Sequence, residues 1–337
     1  MLGLQLSKRE LAAHTLDVTG CGRLLRATSA WQGLLTLNYH RIGDASQSPF
    51  DRNLWSATEE DFDQQVAFLA KNFDVVGLND LDEVLRRRRG RFVLITFDDG
   101  YQDNYSAAIP ILKSHNVPAT FFIATGFIDR PRAPWWDELA WMIRTTEKKS
   151  LQSSRWLTSP IEFDEPNRER AFGKLLAIYK GLGPESTDDY LDDLANTLNT
   201  GRCPSSAAAD MWMTWDMIRE LRDHGMSIGG HTVNHPILAN LPSDQQDWEI
   251  GECRRRLSAE LRQTITSFSY PNGTRSSFNE FTRTALKQFG YRHAFTFLGG
   301  YARPGFDDAF ALPRTAVETD ITLSHFRAKV TLPQIFA

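Results

Sequence analysis

Val93-Leu94-Ile95-Thr96-Phe97-Asp98-Asp99-Gly100-Tyr101 decides the fold: an apolar, β-branched run that stops on two adjacent carboxylates and a glycine. A run this short, bounded by a turn-former, reads as an interior strand, and Gly100 permits a sharp turn at its end. Both carboxylates then sit where a strand opens into a loop, the usual place for chemistry on an α/β scaffold. Upstream, Leu34 to Tyr39 is a second β run that delivers His40 at its end. A helix is expected from Thr58, which can cap it. Glu59 and Glu60 suit its first turn, and Phe62, Val66, Leu69 and Phe73 recur at helical spacing. Strands over 73–78 and 118–124 and helices over 80–88 and 105–115 continue an alternation whose connections are long enough for crossovers, which implies parallel strands.

Residues 126–215 break that rhythm and read as a helical insertion of about 80 residues; without it, about 250 remain, the size of a (β/α) barrel. Within it Trp135, Trp136 and Trp141 suit the apolar faces of sugar rings. They suit a hydrophobic seam between insertion and barrel at least as well. The alternation then resumes, with helices over 215–224, 243–262, 278–289 and 321–330 and strands over 226–229, 265–270, 291–298 and 311–316. The expectation is an α/β fold with seven to eight strands, a single domain over 1–337 without internal repeats.

The second chemical stretch is Gly229-Gly230-His231-Thr232-Val233-Asn234-His235-Pro236. Pro236 disfavours α geometry at His235, so the two imidazoles are expected on a loop. One carboxylate and two imidazoles form a ligand set for a catalytic divalent metal with coordination positions left open. Zinc (Zn2+) is the first choice, and nickel, cobalt or iron (Ni2+, Co2+, Fe2+) take the same ligands. The formal charge of −4 gives no electrostatic case for nucleic acid. Arg86 to Arg89, at a helix end, read as a solvated terminus. Cys21, Cys203 and Cys253 are odd in number and widely spaced, and read as reduced thiols. No signal-peptide core or membrane-spanning run is visible, so the expectation is a cytoplasmic protein without a membrane span.

Thr96-Phe97-Asp98-Asp99-Gly100 together with His231-Thr232-Val233-Asn234-His235-Pro236 resembles the polysaccharide deacetylase family, the metal-dependent carbohydrate de-N-acetylases with a NodB-type domain. The likeness runs over roughly 34–317. It implies an irregular (β/α) barrel and a hydrolase that removes acetyl groups from an N-acetylated sugar in a polysaccharide or glycoconjugate. By motif order Asp99, His231 and His235 are the metal ligands and Asp98 is the general base. Tyr39-His40, by itself readable as a core-edge cap, matches a motif that supplies the catalytic acid in several members. Phe268-Ser269-Tyr270-Pro271-Asn272-Gly273 resembles the third motif, which offers the Asn272 backbone N–H to the oxyanion and places Tyr270 at the substrate.

Three departures from the family pattern follow. Ser269 stands where many members carry an arginine beside the base, leaving Arg314 on a late strand as a candidate to orient Asp98. The aspartate and tryptophan of a fourth motif have only Asp307 and Asp308 as weak counterparts. No Leu-x-His supplies a C-terminal acid. Two other readings stay open: a catalytically inactive carbohydrate-binding protein, for which the second carboxylate Asp98 has no use, and a deacetylase of O-acetyl esters.

Overall fold

The apolar run around Ile95 becomes a strand that is buried at every position after its first. In the computed structural model, which describes residues 8–28, 30–163 and 167–337, it lies in a parallel sheet that curls almost into a closed barrel. The strands in chain order are β1 (Gly33–Tyr39), β2 (Asp74–Val75), β3 (Arg91–Phe97), β4 (Thr120–Ile123), β5 (Ser227–Gly230), β6 (Ser267–Ser269), β7 (His293–Phe295) and β8 (Arg314–Ala316). Seven of them follow one another as β7-β6-β5-β4-β3-β1-β8, and β2 pairs with the first half of β3. The gap between β7 and β8 is narrowed by a Phe295–Leu312 bridge. The expected irregular barrel of seven to eight strands is therefore present.

Register explains where side chains emerge. β1 pairs with β3 from Gly33–Arg91 to Tyr39–Phe97 without a break, so His40 and Asp98 leave the sheet together. Ile123 pairs with Gly230, and Gly230 with Phe268. The loops opening at Asp98, Ala124, His231 and Tyr270 therefore gather at one end, the C-terminal end of the strands.

The helices are α1 (Lys8–Val18), α2 (Cys21–Ala27), α3 (Glu59–Asn72), α4 (Leu81–Arg86), α5 (Ile109–Ser114), α6 (Thr125–Asp129), α7 (Trp135–Thr145), α8 (Arg168–Lys180), α9 (Pro184–Leu198), α10 (Trp215–Asp223), α11 (Ser243–Leu261), α12 (Glu280–Gln288), α13 (Leu323–Thr331) and α14 (Pro333–Phe336). Thr58 caps α3 by accepting from the Asp61 N–H, and the helix buries Phe62, Val66 and Leu69. Elements differ from expectation where local chemistry intervenes. The strand over 73–78 is cut to two residues, because Asp80 accepts from the Gly77 N–H and tightens Leu78–Asp80 into a 3-10 turn. The helix over 105–115 opens as a wider π segment, Asn104–Ala108, before Pro110 takes a first-turn position of α5, where its missing N–H costs nothing. The last strand begins at Arg314, since Pro313 has no N–H for a ladder.

Between β4 and β5 lie α6 to α10 and an antiparallel pair, Ser150–Leu151 with Ile161–Glu162. That pair is too short to register as a period. Arg86 to Arg89 are exposed. No described helix is long and apolar enough to cross a membrane.

Candidate active site

Two strained turns bring the metal-ligand candidates together. Among the described residues seven non-glycines have positive φ, and four of them are here: Asp99 (75°), Thr232 (66°), His235 (55°) and Asn272 (58°). For the β-branched Thr232 this is a costly conformation, and such strain persists only where the surroundings over-determine it. The restraint is visible. Thr232 Oγ1 accepts from the His235 N–H at 2.9 Å. The buried carboxylate of Glu249 on α11 accepts from the Val233 and Asn234 N–H groups at 2.8 and 2.9 Å and from Asn234 Nδ2 at 2.8 Å. Gly126 allows the close approach from the other side, since a Cβ there would lie 2.7 Å from the Val233 carbonyl oxygen.

The result is a tight cluster. Asp99 Oδ1 lies 3.3 Å from His231 Nε2 and 3.4 Å from His235 Nε2, and the ligand atoms of all three residues lie within 4.8 Å of one another. His231 Nδ1 is 2.7 Å from the Ser269 carbonyl oxygen. Donation to that acceptor leaves the lone pair of a neutral ring on Nε2, facing Asp99. Asp99 Oδ1 is itself buried without a hydrogen-bond partner among the described residues. An orphaned acceptor surrounded by imidazole nitrogens is an unfavourable arrangement that a cation resolves, so the residues present fit a divalent metal. Electrostatics agree for Asp99 and His235, whereas burial of His231 is outweighed by Asp98 and Asp99, which raise it above the ordinary histidine value. Burial works against the Asp99 carboxylate, but His231 and His235 hold it below the usual carboxylate range. Burial pushes His235 down to about 3, a ring kept neutral for ligation.

Asp98 lies at the edge of this cluster, its Oδ2 3.9 Å from His231 Nε2. Arg314 grips it through two parallel bonds, Nη1 to Oδ1 at 2.8 Å and Nη2 to Oδ2 at 2.7 Å, and Ser269 Oγ donates to Oδ2 at 3.1 Å. Burial opposes the ionised form, but Arg314, with help from His231, outweighs it and holds the carboxyl well below its ordinary range.

All eight residues singled out from sequence (Asp98, Asp99, His231, His235, His40, Asn272, Tyr270 and Arg314) line one cavity of about 360 Å³. The Tyr270 hydroxyl is engaged elsewhere, donating to the Phe310 carbonyl at 3.0 Å. Asp307 and Asp308 are absent from its lining, and the Asp308 carboxylate is taken by Arg283. The insertion supplies one wall through Trp135, Trp136, Leu176 and Lys180. Both tryptophans are also seam residues. Trp135 stacks on Tyr179 at 4.3 Å, and Trp136 meets the His235 ring edge-on at 4.4 Å.

Sequence reasoning missed several supports. Ser269 was noted only as a departure, yet it touches Asp98 through its hydroxyl and His231 through its carbonyl. Glu249 and Lys180 sit in helices with no local signal to distinguish them. The buried Asp137 accepts from Tyr101 and from the Asp51 N–H at 2.9 and 2.8 Å, and was hidden among tryptophans.

Comparison with known proteins places this arrangement. The polysaccharide deacetylase family profile matches residues 86–154 and 186–294. Bacillus subtilis YxkH, which carries the same family name, is 24% identical over 238 residues, covering 71% of this chain and 56% of YxkH. A Staphylococcus aureus poly-beta-1,6-N-acetyl-D-glucosamine N-deacetylase is 33% identical over 107 residues, 28% of this chain and 37% of that protein. The chain thus spans about half or less of these relatives. Among solved structures, the Streptococcus pyogenes deacetylase PplD in complex with acetate superposes with a TM-score of 0.59 at 19% identity, covering 88% of this chain and 97% of that one. Because the profile takes in both the strand that ends on Asp98 and Asp99 and the loop that carries His231 and His235, the chain belongs to the polysaccharide deacetylase family.

Proposed function

We propose that the protein is a metal-dependent hydrolase that removes the acetyl group from an N-acetylated sugar of a polysaccharide or glycoconjugate. The observation that carries this reading is the separation of two adjacent carboxylates into two environments, Asp99 against a pair of imidazoles and Asp98 against Arg314 and Ser269. A binding module has no use for the second. The relative acting on poly-beta-1,6-N-acetyl-D-glucosamine supports the substrate class.

Asp99, His231 and His235 would hold the metal, with zinc the first choice for one carboxylate and two imidazoles. A bound divalent cation supplies Lewis acidity to a water and to the acyl oxygen beside it. The remaining work falls to the chain. Asp98 accepts the proton of the attacking water, and its pairing with Arg314 keeps it ionised and aimed. The Asn272 backbone N–H, on a turn fixed by its positive φ, donates to the oxyanion. His40, which lines the same cavity with its ring 6.4 Å from that of Phe297, gives a proton to the departing amine, which would otherwise leave as a strong base. Trp135, Trp136 and Lys180 wall the sugar site, and in this reading the insertion over 126–215 belongs to the same catalytic domain. The test is acetate release from a panel of N-acetylated and O-acetylated oligosaccharides, with and without chelator. Chelator-sensitive release from the amides is expected; no release from any of them, or release indifferent to chelator, overturns the proposal.

A further inference from the structure

A second concave site lies at the far end of the barrel. It is a groove of about 1220 Å³ between α1, α2, α3 and α13 and the first residue of β3, Arg91. Arg91 and Asp98 are at opposite ends of β3, a strand length of roughly 20 Å, so the groove is separate from the metal site. Among the described residues its lining includes five cationic side chains, Arg23, Arg26, Lys71, Arg91 and Arg327, against one carboxylate, Asp17.

Among the described residues the cations are only partly neutralised: Asp17 faces Arg26 and Arg327, and Asp74 faces Arg91. Arg327 Nη1 binds Asp17 at 3.0 Å, but Arg26 Nη1 donates only to the hydroxyl of Thr331 at 2.9 Å. Arg26 Nε, Arg91 Nη1 and Arg327 Nε are buried without a hydrogen-bond partner among the described residues. Burial depresses Arg26, and although Asp17 opposes this, the nearby Arg327, Arg91 and Arg23 depress it further. Packing holds the charges in place nonetheless: the Phe68 ring takes Arg26 at 4.8 Å and Arg327 at 5.4 Å. Guanidinium groups held together at this cost, from a helix, a strand and a distant helix, form a preorganised receptor for an anion with several acceptor oxygens.

We propose that this groove binds a phosphate-bearing anion. Carboxylates offer two acceptor atoms in one plane, whereas converging guanidinium groups suit a tetrahedral group approached from several sides. The shared chemistry is a phosphate group, free or on a lipid headgroup, and Val18 and Leu24 beside the groove, 69% and 66% exposed, offer apolar surface to the latter.

The test uses the full metal-loaded chain and two probes: inorganic phosphate by calorimetry, and phosphatidylglycerol vesicles by co-sedimentation against phosphatidylcholine. Arg26→Gln/Arg327→Gln is expected to weaken binding of the responsive probe about tenfold, the loss of one or two charge-assisted hydrogen bonds, with bound metal unchanged. Phosphate held at the metal site is common to both proteins and cancels. Because those two arginines also pack on Phe68, a second variant on the open rim, Arg23→Gln/Lys71→Gln, is expected to weaken binding about threefold without a change in melting temperature. Loss on phosphatidylglycerol assigns the groove to lipid headgroups, and loss on inorganic phosphate alone assigns it to a free anion. If neither probe binds, or if both variants bind as the parent does, the proposal is overturned.

Discussion

Asp137→Asn isolates one buried carboxyl that links the insertion to the site. Asp137 is fully buried on α7. It accepts from the Asp51 N–H and the Tyr101 hydroxyl, Tyr101 accepts from Trp136 Nε1 at 3.0 Å, and Trp136 abuts His235. Burial pushes the Asp137 carboxyl up to about 7, with Arg41 pulling the other way. The unfolded chain releases this proton near pH 4, so between about pH 4 and pH 7 the folded state binds more protons and stability falls as pH rises. A gap of about three pH units at 1.36 kcal/mol each gives a loss of roughly 4 kcal/mol across that window. Asparagine does not titrate. At about pH 4 the variant is expected to be about 1 kcal/mol less stable than the parent, because one amide oxygen replaces two carboxyl oxygens as acceptor. At pH 8 it is expected to be more stable, by roughly 3 kcal/mol on the same arithmetic. Urea titrations of both proteins from about pH 4.5 to 8, read by tryptophan fluorescence and by circular dichroism, measure the difference. A difference that stays flat across this range would refute the reasoning, since it would mean that Asp137 is ionised in the folded protein.

His235→Ala is expected to remove most bound metal and activity together, as read by elemental analysis and acetate release. Asp98→Asn keeps the metal and loses turnover by about 10²–10⁴-fold; undiminished turnover in a metal-replete sample would show that the base is another group. Arg314→Met leaves the Asp98 carboxylate buried and uncompensated, a destabilisation of about 3–5 kcal/mol by chemical denaturation. Arg314→Lys is not expected to rescue it, because one ammonium does not span both oxygens. His40→Ala should slow turnover with metal intact and alter the pH–rate profile, and an unaltered profile would assign proton delivery elsewhere.

The legible parts of the chain were those with short-range causes. The run ending at Asp98 was readable because every residue from Phe92 to Phe97 is buried on both faces of a parallel strand. The cap at Thr58 and the loop geometry at His235 followed from single residues whose preferences are strong. What stayed hidden depends on approach through space. Glu249 carries two backbone amides of the His231–His235 loop, but in sequence it is one acid on a long polar helix. Nothing local distinguishes Lys180, at the end of α8, from any other lysine that ends a helix. The tryptophan cluster allowed a sugar platform or a seam, and the structure divides it: Trp135 and Trp136 line the cavity, Trp135 also stacks on Tyr179, and Trp141 is not part of that lining.

Arg314 makes the same point about the chemistry. In the proposed mechanism Asp98, as base, takes a guanidinium beside it, and a barrel offers several strands from which that place can be reached. Ser269 is too short to fill it from β6. The side chain of Arg314 enters from β8, two strands across the nearly closed gap, and passes Asn38 at 2.7 Å on its way to Asp98. Its Nη2 donates to Ser269 Oγ at 2.8 Å, so the small residue serves as the arginine's acceptor and also donates to the base. An arginine restored at 269 would compete with Arg314 for one buried carboxylate and crowd a second full charge into the barrel interior. Ser269→Arg alone should therefore destabilise the fold, and only with Arg314 removed should it recover. A spared single variant would mean that the barrel has room for both and that the exchange of position has no structural cause.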